Sequence, residues 1–199
     1  MEYDVWRRQA GAWLVVMVAG IGAASAQTPG ASQAPDAPFV LTSSDIKDGM
    51  TIERKYGGPN SAQMACGGEN VSPGLQWSNA PASTKSFAVL MYDFDGGRGA
   101  GVVHWVAYGL APDLKSLAVG EGNAASPRMT TGLNSRQLET YFGPCAPATD
   151  TPHHYIYSIY ALDVPQDELP AKLTRDQFLE KVKGRVINLT SIVGTYRRP

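Results

Sequence analysis

Two aspartates and three histidines are the residues of this chain whose types and spacing could do chemistry. Asp93 and Asp95 end an apolar run, and a glycine-rich segment separates them from His104. His153 and His154 stand side by side after a second loop, which is marked by glycine and proline. Such a set could ligate a metal, serve as a catalytic pair or bind an anion.

The pleat of a strand restricts what the adjacent histidines can do together. Successive side chains of a strand point to opposite faces. A strand that begins at His153 places this residue on one face with Tyr155 and Tyr157, and His154 on the other with Ile156. The two histidines therefore cannot both enter one pocket.

Three β-prone runs must position these residues: Ser86–Tyr92, Val102–Tyr108 and Tyr155–Leu162. Each run is almost continuously apolar, which is typical of strands buried on both faces. The short glycine-rich connection predicts that the first two form a hairpin, which brings His104 close to the two aspartates. The third run carries a second histidine towards them.

One helix is predicted near the C-terminus. Thr174 can cap it, Gln177 stands at the capping-box position and Gly184 stops it. Residues from Arg185 to Tyr196 can then form a closing strand. The sequence predicts a mainly β fold, an antiparallel β-sandwich with a C-terminal helix.

The residue types favour anion binding over two other kinds of site. A serine triad needs a strained elbow, and the chain has no Gly-x-Ser-x-Gly. A metal site lacks dense ligand spacing such as His-x-x-x-His, so no metal is predicted. Imidazole and backbone N–H groups of the Gly/Pro loop can donate to a phosphate or carboxylate, with the aspartates orienting the histidines. For any one residue, a strand-end cap or a satisfied core histidine is the simpler reading, but three converging segments favour a site.

The N-terminus has the pattern of a secretory signal. Arg7 and Arg8 precede the apolar stretch Gly11–Ala24, and the small residues Ala24 and Ala26 flank Ser25. This predicts a signal peptide over residues 1–26, cleaved after Ala26, and a periplasmic or secreted protein. A retained anchor is disfavoured because 14 apolar residues fall short of the roughly 20 that span a bilayer.

The rest of the chain reads as one exported domain. Residues 27–38 are rich in proline and alanine and predict a flexible leader, and residues 39–199 form a single domain. The net charge of −1 gives no sign of nucleic-acid binding. Cys66 and Cys145 form an even count in an oxidising compartment, which predicts a disulfide; two buried free thiols are the alternative.

Three segments of the chain carry a family resemblance: GGENVSPGLQWSNAPASTKSFAVLMYDFD (Gly67–Asp95), VVHWVAYGL (Val102–Leu110) and YFGPCAPATDTPHHYIYSIYALD (Tyr141–Asp163). Together they resemble the phosphatidylethanolamine-binding protein (PEBP) family, in particular its bacterial Raf-kinase-inhibitor-like branch with exported members. The resemblance runs from about Phe39 to Arg198, nearly the whole mature chain.

The resemblance implies an antiparallel β-sandwich with a small anion pocket at one end of the sheet. It also implies a set of ligand-binding residues on the segments described above: Asp93, Asp95, His104, Gly143, Pro144, His153 and Tyr155. His154 stands where relatives often have arginine and is expected outside the pocket. No cofactor and no reaction are implied.

Four positions depart from the family pattern. Phe94 and Gly97 stand where the family has proline, Phe142 where it usually has glycine, and Ala146 where it often has proline. We therefore expect a more flexible pocket rim, narrowed or covered by the two phenylalanines.

These patterns favour an exported, non-enzymatic protein that binds a small anionic or zwitterionic phosphorylated ligand. One alternative is an inhibitor or modulator of a kinase or protease, in which an exposed surface meets a protein target. A hydrolase with His104 or His153 as base is a weaker alternative, because neither a nucleophile nor a metal is indicated. A homodimer, as formed by some bacterial relatives, stays open.

Overall fold

A computed structural model describes residues 37–61 and 64–199 of the chain. The predicted signal peptide and residues 27–36 of the predicted leader lie outside the described residues. Among the residues that are described, no helix is long and apolar enough to cross a membrane.

The described part is built from short and long strands with one α-helix. In chain order these are β1 (Val40–Thr42), β2 (Met50–Thr51), β3 (Asn60–Ser61), β4 (Met64–Ala65), β5 (Leu75–Ser78), β6 (Ser86–Asp93), β7 (Val102–Leu110), β8 (Ser116–Leu117), β9 (Thr130–Thr131), β10 (His153–Leu162), α1 (Arg175–Lys181) and β11 (Val186–Tyr196).

Two sheets carry the fold. The larger has the strand order β2-β11-β10-β6-β7-β9, and the smaller has the order β1-β5-β8. All neighbours in these two sheets are antiparallel except β2 and β11. The predicted hairpin of β6 and β7 is present, and β10 lies on the other side of β6. The mainly β fold with a C-terminal helix is confirmed.

The large sheet is covered on both faces, which explains its almost continuous apolar strands. On β6, Phe87, Val89 and Met91 point to a core shared with the small sheet. Ala88 and Leu90 point the other way and pack with residues of and around α1. Burying both faces lets the hydrophobic effect act on every residue of the central strands.

Local sequence sets the limits of α1 as predicted. The Thr174 side chain accepts from the backbone N–H of Gln177, and the Gln177 side chain accepts from the backbone N–H of Thr174, which completes a capping box. Beyond the helix, Gly184 takes a φ of +74°, a left-handed value that glycine adopts without steric cost. The chain then turns directly into β11.

A β-bulge changes the direction of one candidate site residue. Met91 lies opposite Trp105 and Tyr92 lies opposite Val103, so His104 has no residue opposite it on β6. The extra residue places both His104 and Trp105 on the face shared with the small sheet, where strict alternation would separate them. Trp105 enters the core, and His104 lies beside it at the end of the sheet.

Candidate anion-binding site

A small cavity lies at the end of the large sheet where β6 stops and β7 and β10 begin. Its volume is about 180 Å³, and a set of residues from four segments lines it: Asp93, Gly96, Gly97, Val102, His104, Arg136, Phe142, Cys145, Ala146, Pro147 and His153. Since a water occupies about 30 Å³ of liquid, the space suits a phosphate-sized group rather than a drug-sized ligand.

Asp93 and His153 form the buried ion pair of this cavity. Nδ1 of His153 lies 2.9 Å from Oδ2 of Asp93, with side-chain exposures of 10% and 5%. The other oxygen of Asp93 accepts from the backbone N–H groups of Asp95 (3.0 Å) and Gly96 (2.9 Å). Asp93 is thus held at both oxygens and fixes the imidazole, whose Nε2 lies 3.4 Å from Oδ2 of the half-exposed Asp150.

The charge of His153 is favoured by its surroundings. Burial opposes the imidazolium, but the hydrogen bond and charge of Asp93, aided by Asp150 and Asp95, outweigh burial and raise the pKa of His153 above its ordinary value. His153 is therefore more readily protonated than an ordinary histidine.

Asp95 and His154 repeat this pairing on the outside of the sheet. Oδ2 of Asp95 accepts from the backbone N–H of His154 at 2.7 Å and lies 2.9 Å from its Nδ1. His154 is exposed, as the pleat predicts, and Asp95 is not among the cavity-lining residues. The backbone hydrogen bond from His154, the largest effect, holds the pKa of Asp95 below its ordinary value. The pair fastens the start of β10.

His104 has the opposite protonation preference from His153. Its Nδ1 lies 2.7 Å from the carbonyl of Phe142, and a carbonyl only accepts, so this nitrogen carries the proton. Burial lowers the pKa of His104, although the hydrogen bond to Phe142 and the charge of Asp93 oppose this shift. A neutral His104 therefore turns an accepting Nε2 towards the cavity, where the sequence predicted a donor.

The loop with Gly143 and Pro144 lies against the cavity, but its N–H groups are already engaged. Gly143 donates its N–H to the side chain of Asn70 at 2.8 Å, and Cys145 donates to the hydroxyl of Tyr155 at 3.2 Å. Pro144 has no N–H, and its carbonyl accepts from Gly58. Because this set of donors is satisfied within the protein, the loop shapes the cavity rather than donating to an anion.

A tight backbone contact at Gly143 and a disulfide at Cys145 hold the same loop in place. A Cβ at Gly143 would collide with the carbonyl of Tyr56, so only glycine fits there. The predicted disulfide joins Cys145 to Cys66, across a sequence separation of 79. Burial, and next the charge of Asp93, raise the pKa of Tyr155, so its hydroxyl remains protonated beneath the cavity.

Arg136 is the cavity residue that sequence reasoning missed. Its guanidinium lies 4.4 Å from the ring centroid of Phe142, a cation–π contact. The side chain of Asn134 accepts from the N–H of Arg136 at 2.8 Å and donates to the carbonyl of His104 at 3.3 Å. This ties the arginine-bearing loop to β7 and places a second cation at the cavity.

The departures from the family pattern have different outcomes. Phe142 lines the cavity and supports Arg136, whereas Phe94 is 63% exposed and is not part of the lining. Gly97 has a φ of +59°, which the ring of a proline excludes. Ala146 lines the cavity as a small, buried side chain. The expected flexibility of the rim stays a prediction.

Of the seven predicted ligand-binding residues, the structure brings Asp93, His104 and His153 to the cavity wall. Tyr155 lies beneath them, with its ring centroid 5.2 Å from that of His104. The other three predicted residues are the outward-facing Asp95 and the loop residues Gly143 and Pro144. Within residues 37–61 and 64–199, no group of three or more His, Cys, Asp or Glu side chains is arranged to hold a metal ion.

Comparison with known proteins gives consistent matches. A family model described as phosphatidylethanolamine-binding protein matches residues 42–197. YbcL of Escherichia coli is 36% identical over 132 residues, which cover 63% of this chain and 69% of that protein. LppC of Mycobacterium tuberculosis, a protein named as a lipoprotein, is 33% identical over 195 residues, 94% of this chain and 93% of its own.

Solved structures give the same result. The crystal structure of Escherichia coli YbcL, described as a new member of the mammalian PEBP family, has a TM-score of 0.74 at 28% identity and covers 82% of this chain and 100% of its own. A PEBP homologue from Chlamydia trachomatis has a TM-score of 0.68 at 30% identity and covers 81% and 98%.

Proposed function

This chain belongs to the phosphatidylethanolamine-binding protein family, and we propose that its cavity binds a phosphate-bearing head group or a similar small anion. The observation that carries the proposal is the pair of cations at a cavity of about 180 Å³, Arg136 and a His153 whose charge Asp93 favours. A planar guanidinium and an imidazolium can both donate charge-assisted hydrogen bonds to phosphate oxygens.

His104 favours a ligand that can also donate. Its neutral ring turns an accepting Nε2 towards the cavity, and a phosphate that keeps one hydroxyl can donate a hydrogen bond to it. The same ligand can accept from His153 and Arg136 with its other oxygens. A phosphate with one hydroxyl therefore fits both the donors and the acceptor of the cavity. A phosphodiester has no such hydroxyl, but the ammonium of an ethanolamine head group can donate in its place.

Binding rather than catalysis is proposed because the cavity wall supplies no suitable nucleophile. Its residues carry no hydroxyl group, and the sulfur of Cys145 is held in the disulfide. Export is proposed from the signal-like N-terminus and from the likeness to a protein named as a lipoprotein.

Calorimetric titration of the mature protein tests the proposed function. Inorganic phosphate and phosphoethanolamine serve as ligands, and vesicles with and without phosphatidylethanolamine show whether a free or a membrane-bound group is preferred. Affinity should fall as the pH rises above the raised pKa of His153, because the cationic donor is lost.

Matched variants locate the site. His153→Ala should weaken phosphate binding about 10- to 150-fold through loss of a charge-assisted hydrogen bond of roughly 1.5–3 kcal/mol. His154→Ala should bind like the wild type because this ring points away from the cavity. Arg136→Ala should also weaken binding, whereas Arg128→Ala should not, since Arg128 pairs with Glu121. Equal losses from both histidine variants, or no binding of any phosphate ligand, contradict the proposal.

A further inference from the structure

Asp150 lies at the solvent side of the histidine that the proposed function uses as its cationic donor. Its Oδ2 is 3.4 Å from Nε2 of His153, and its side chain is 47% exposed. His153 therefore lies between two carboxylates, with Asp93 at Nδ1 and Asp150 at Nε2. The second of these nitrogens is the one that an anionic ligand must reach.

The two carboxylates are held very differently. Asp93 is 4% exposed and accepts two backbone N–H groups besides its contact with His153. The Asp150 carboxylate has one further contact, at 3.4 Å to the hydroxyl of Thr149. A half-exposed pair at this distance contributes less than about 1 kcal/mol. Asp93 is thus a fixed part of the site, whereas Asp150 can move away.

We infer that Asp150 is an internal anion at the ligand position of His153, and that a small anionic ligand must displace it to reach Nε2. The inference rests on the proposed function. The displacement costs the same free energy for every ligand, so Asp150 lowers the affinity of the cavity for acetate and for phosphate alike. A phosphate has more charge and more oxygens, so it can contact His153 and Arg136 together and repay the displacement.

The test uses acetate and inorganic phosphate as probes of the full mature protein. Asp150→Asn keeps the size of the side chain and removes its charge. This change should raise the affinity for acetate about 2- to 5-fold, the equivalent of an exposed ion pair. The affinity for phosphate should rise by at least the same factor, because phosphate carries at least as much negative charge as acetate.

Two controls separate displacement from a general charge effect. Asp113→Asn also removes one negative charge. Asp113 is exposed and follows Leu110, the end of the nine-residue strand β7 that is far from the cavity. In wild-type protein with ¹³C-labelled aspartate, the Asp150 carboxyl signal should shift when phosphate is added, and the Asp113 signal should stay. This measurement needs no variant to fold.

Each outcome decides the matter. A rise in both affinities in Asp150→Asn alone, together with a shifted Asp150 signal, supports the inference. If wild-type protein binds phosphate but the affinities are unchanged in Asp150→Asn, or Asp113→Asn raises them equally, the inference fails and the proposed function stands. If neither the wild type nor Asp150→Asn binds phosphate, both fail.

Discussion

Replacing Asp93 by asparagine tests the buried ion pair most directly. Asparagine keeps an oxygen for the N–H groups of Asp95 and Gly96 but loses the charge that faces Nδ1 of His153. Both side chains are almost fully buried, at 5% and 10% exposure, so solvent screens the pair little. The loss of this charge-assisted hydrogen bond should lower the free energy of unfolding by about 1.5–3 kcal/mol.

The effect should depend on pH in a defined direction. The raised pKa of His153 means that its stabilising contribution is fully present below the ordinary histidine value of about 6.5 and is lost as pH rises through the raised value. Asp93→Asn should therefore cost most near pH 6 and much less near pH 9. In a domain of this size the cost corresponds to about 3–12 °C in Tm at the lower pH.

The chain supplies its own control for this experiment. Asp95 and His154 form a pair with the same 2.9 Å separation, but their side chains are 37% and 57% exposed. Screening by solvent limits such a pair to less than about 1 kcal/mol, so Asp95→Asn should shift Tm far less. Thermal melts of both variants across pH 5.5–9 measure this. Equal shifts, or an Asp93→Asn shift that is constant with pH, would refute the reasoning.

Three further predictions follow from the described residues and the N-terminal sequence. His104→Gln should reduce the loss of stability on acidification. Because the pKa of His104 is lowered in the folded protein, the unfolded state binds the proton more readily below about pH 6.5, and acid lowers the free energy of unfolding. Urea titrations at pH 5 and 7.5 measure this change in the free energy of unfolding, which is at most about 1.4 kcal/mol per pH unit. Reducing the disulfide between Cys66 and Cys145 should lower the free energy of unfolding by about 4.5 kcal/mol in the chain-entropy model, and unchanged melts with and without reductant would contradict this. Protein from the cell envelope should begin at Gln27, and N-terminal sequencing that finds an intact Met1 in a soluble cytoplasmic fraction would exclude the predicted export.

Local patterns in the sequence predicted the parts of the fold that depend on local physics. Thr174 and Gln177 form their capping box because both partners lie within one turn of chain. His153 and His154 face opposite sides because the pleat imposes it, whatever surrounds the strand. The continuous apolar runs predicted burial on two faces, although they could not show which layer covers which face.

The parts that the sequence did not predict depend on contacts between distant segments. Arg136 belongs to a loop without strand or helix periodicity, and contacts with Phe142 and Asn134 hold it at the cavity. The side chain of Asn70 accepts a hydrogen bond from the backbone N–H of Gly143, which lies 73 residues away in the sequence. Such contacts depend on how the fold brings distant segments together, and the residue pattern within one segment does not predict them.

The bulge in β7 makes the site sensitive to chain length as well as to side-chain identity. One residue, His104, lies unpaired between Val103 and Trp105. A deletion of Val102 or Val103 would restore regular pairing between Met91 and Asp93, and strict alternation would then turn His104 away from the face of Trp105. Repacking can absorb substitutions along this strand, but a single-codon deletion would remove His104 from the cavity wall. In this strand, the extra residue of the bulge is therefore as important to the cavity as the identity of the histidine.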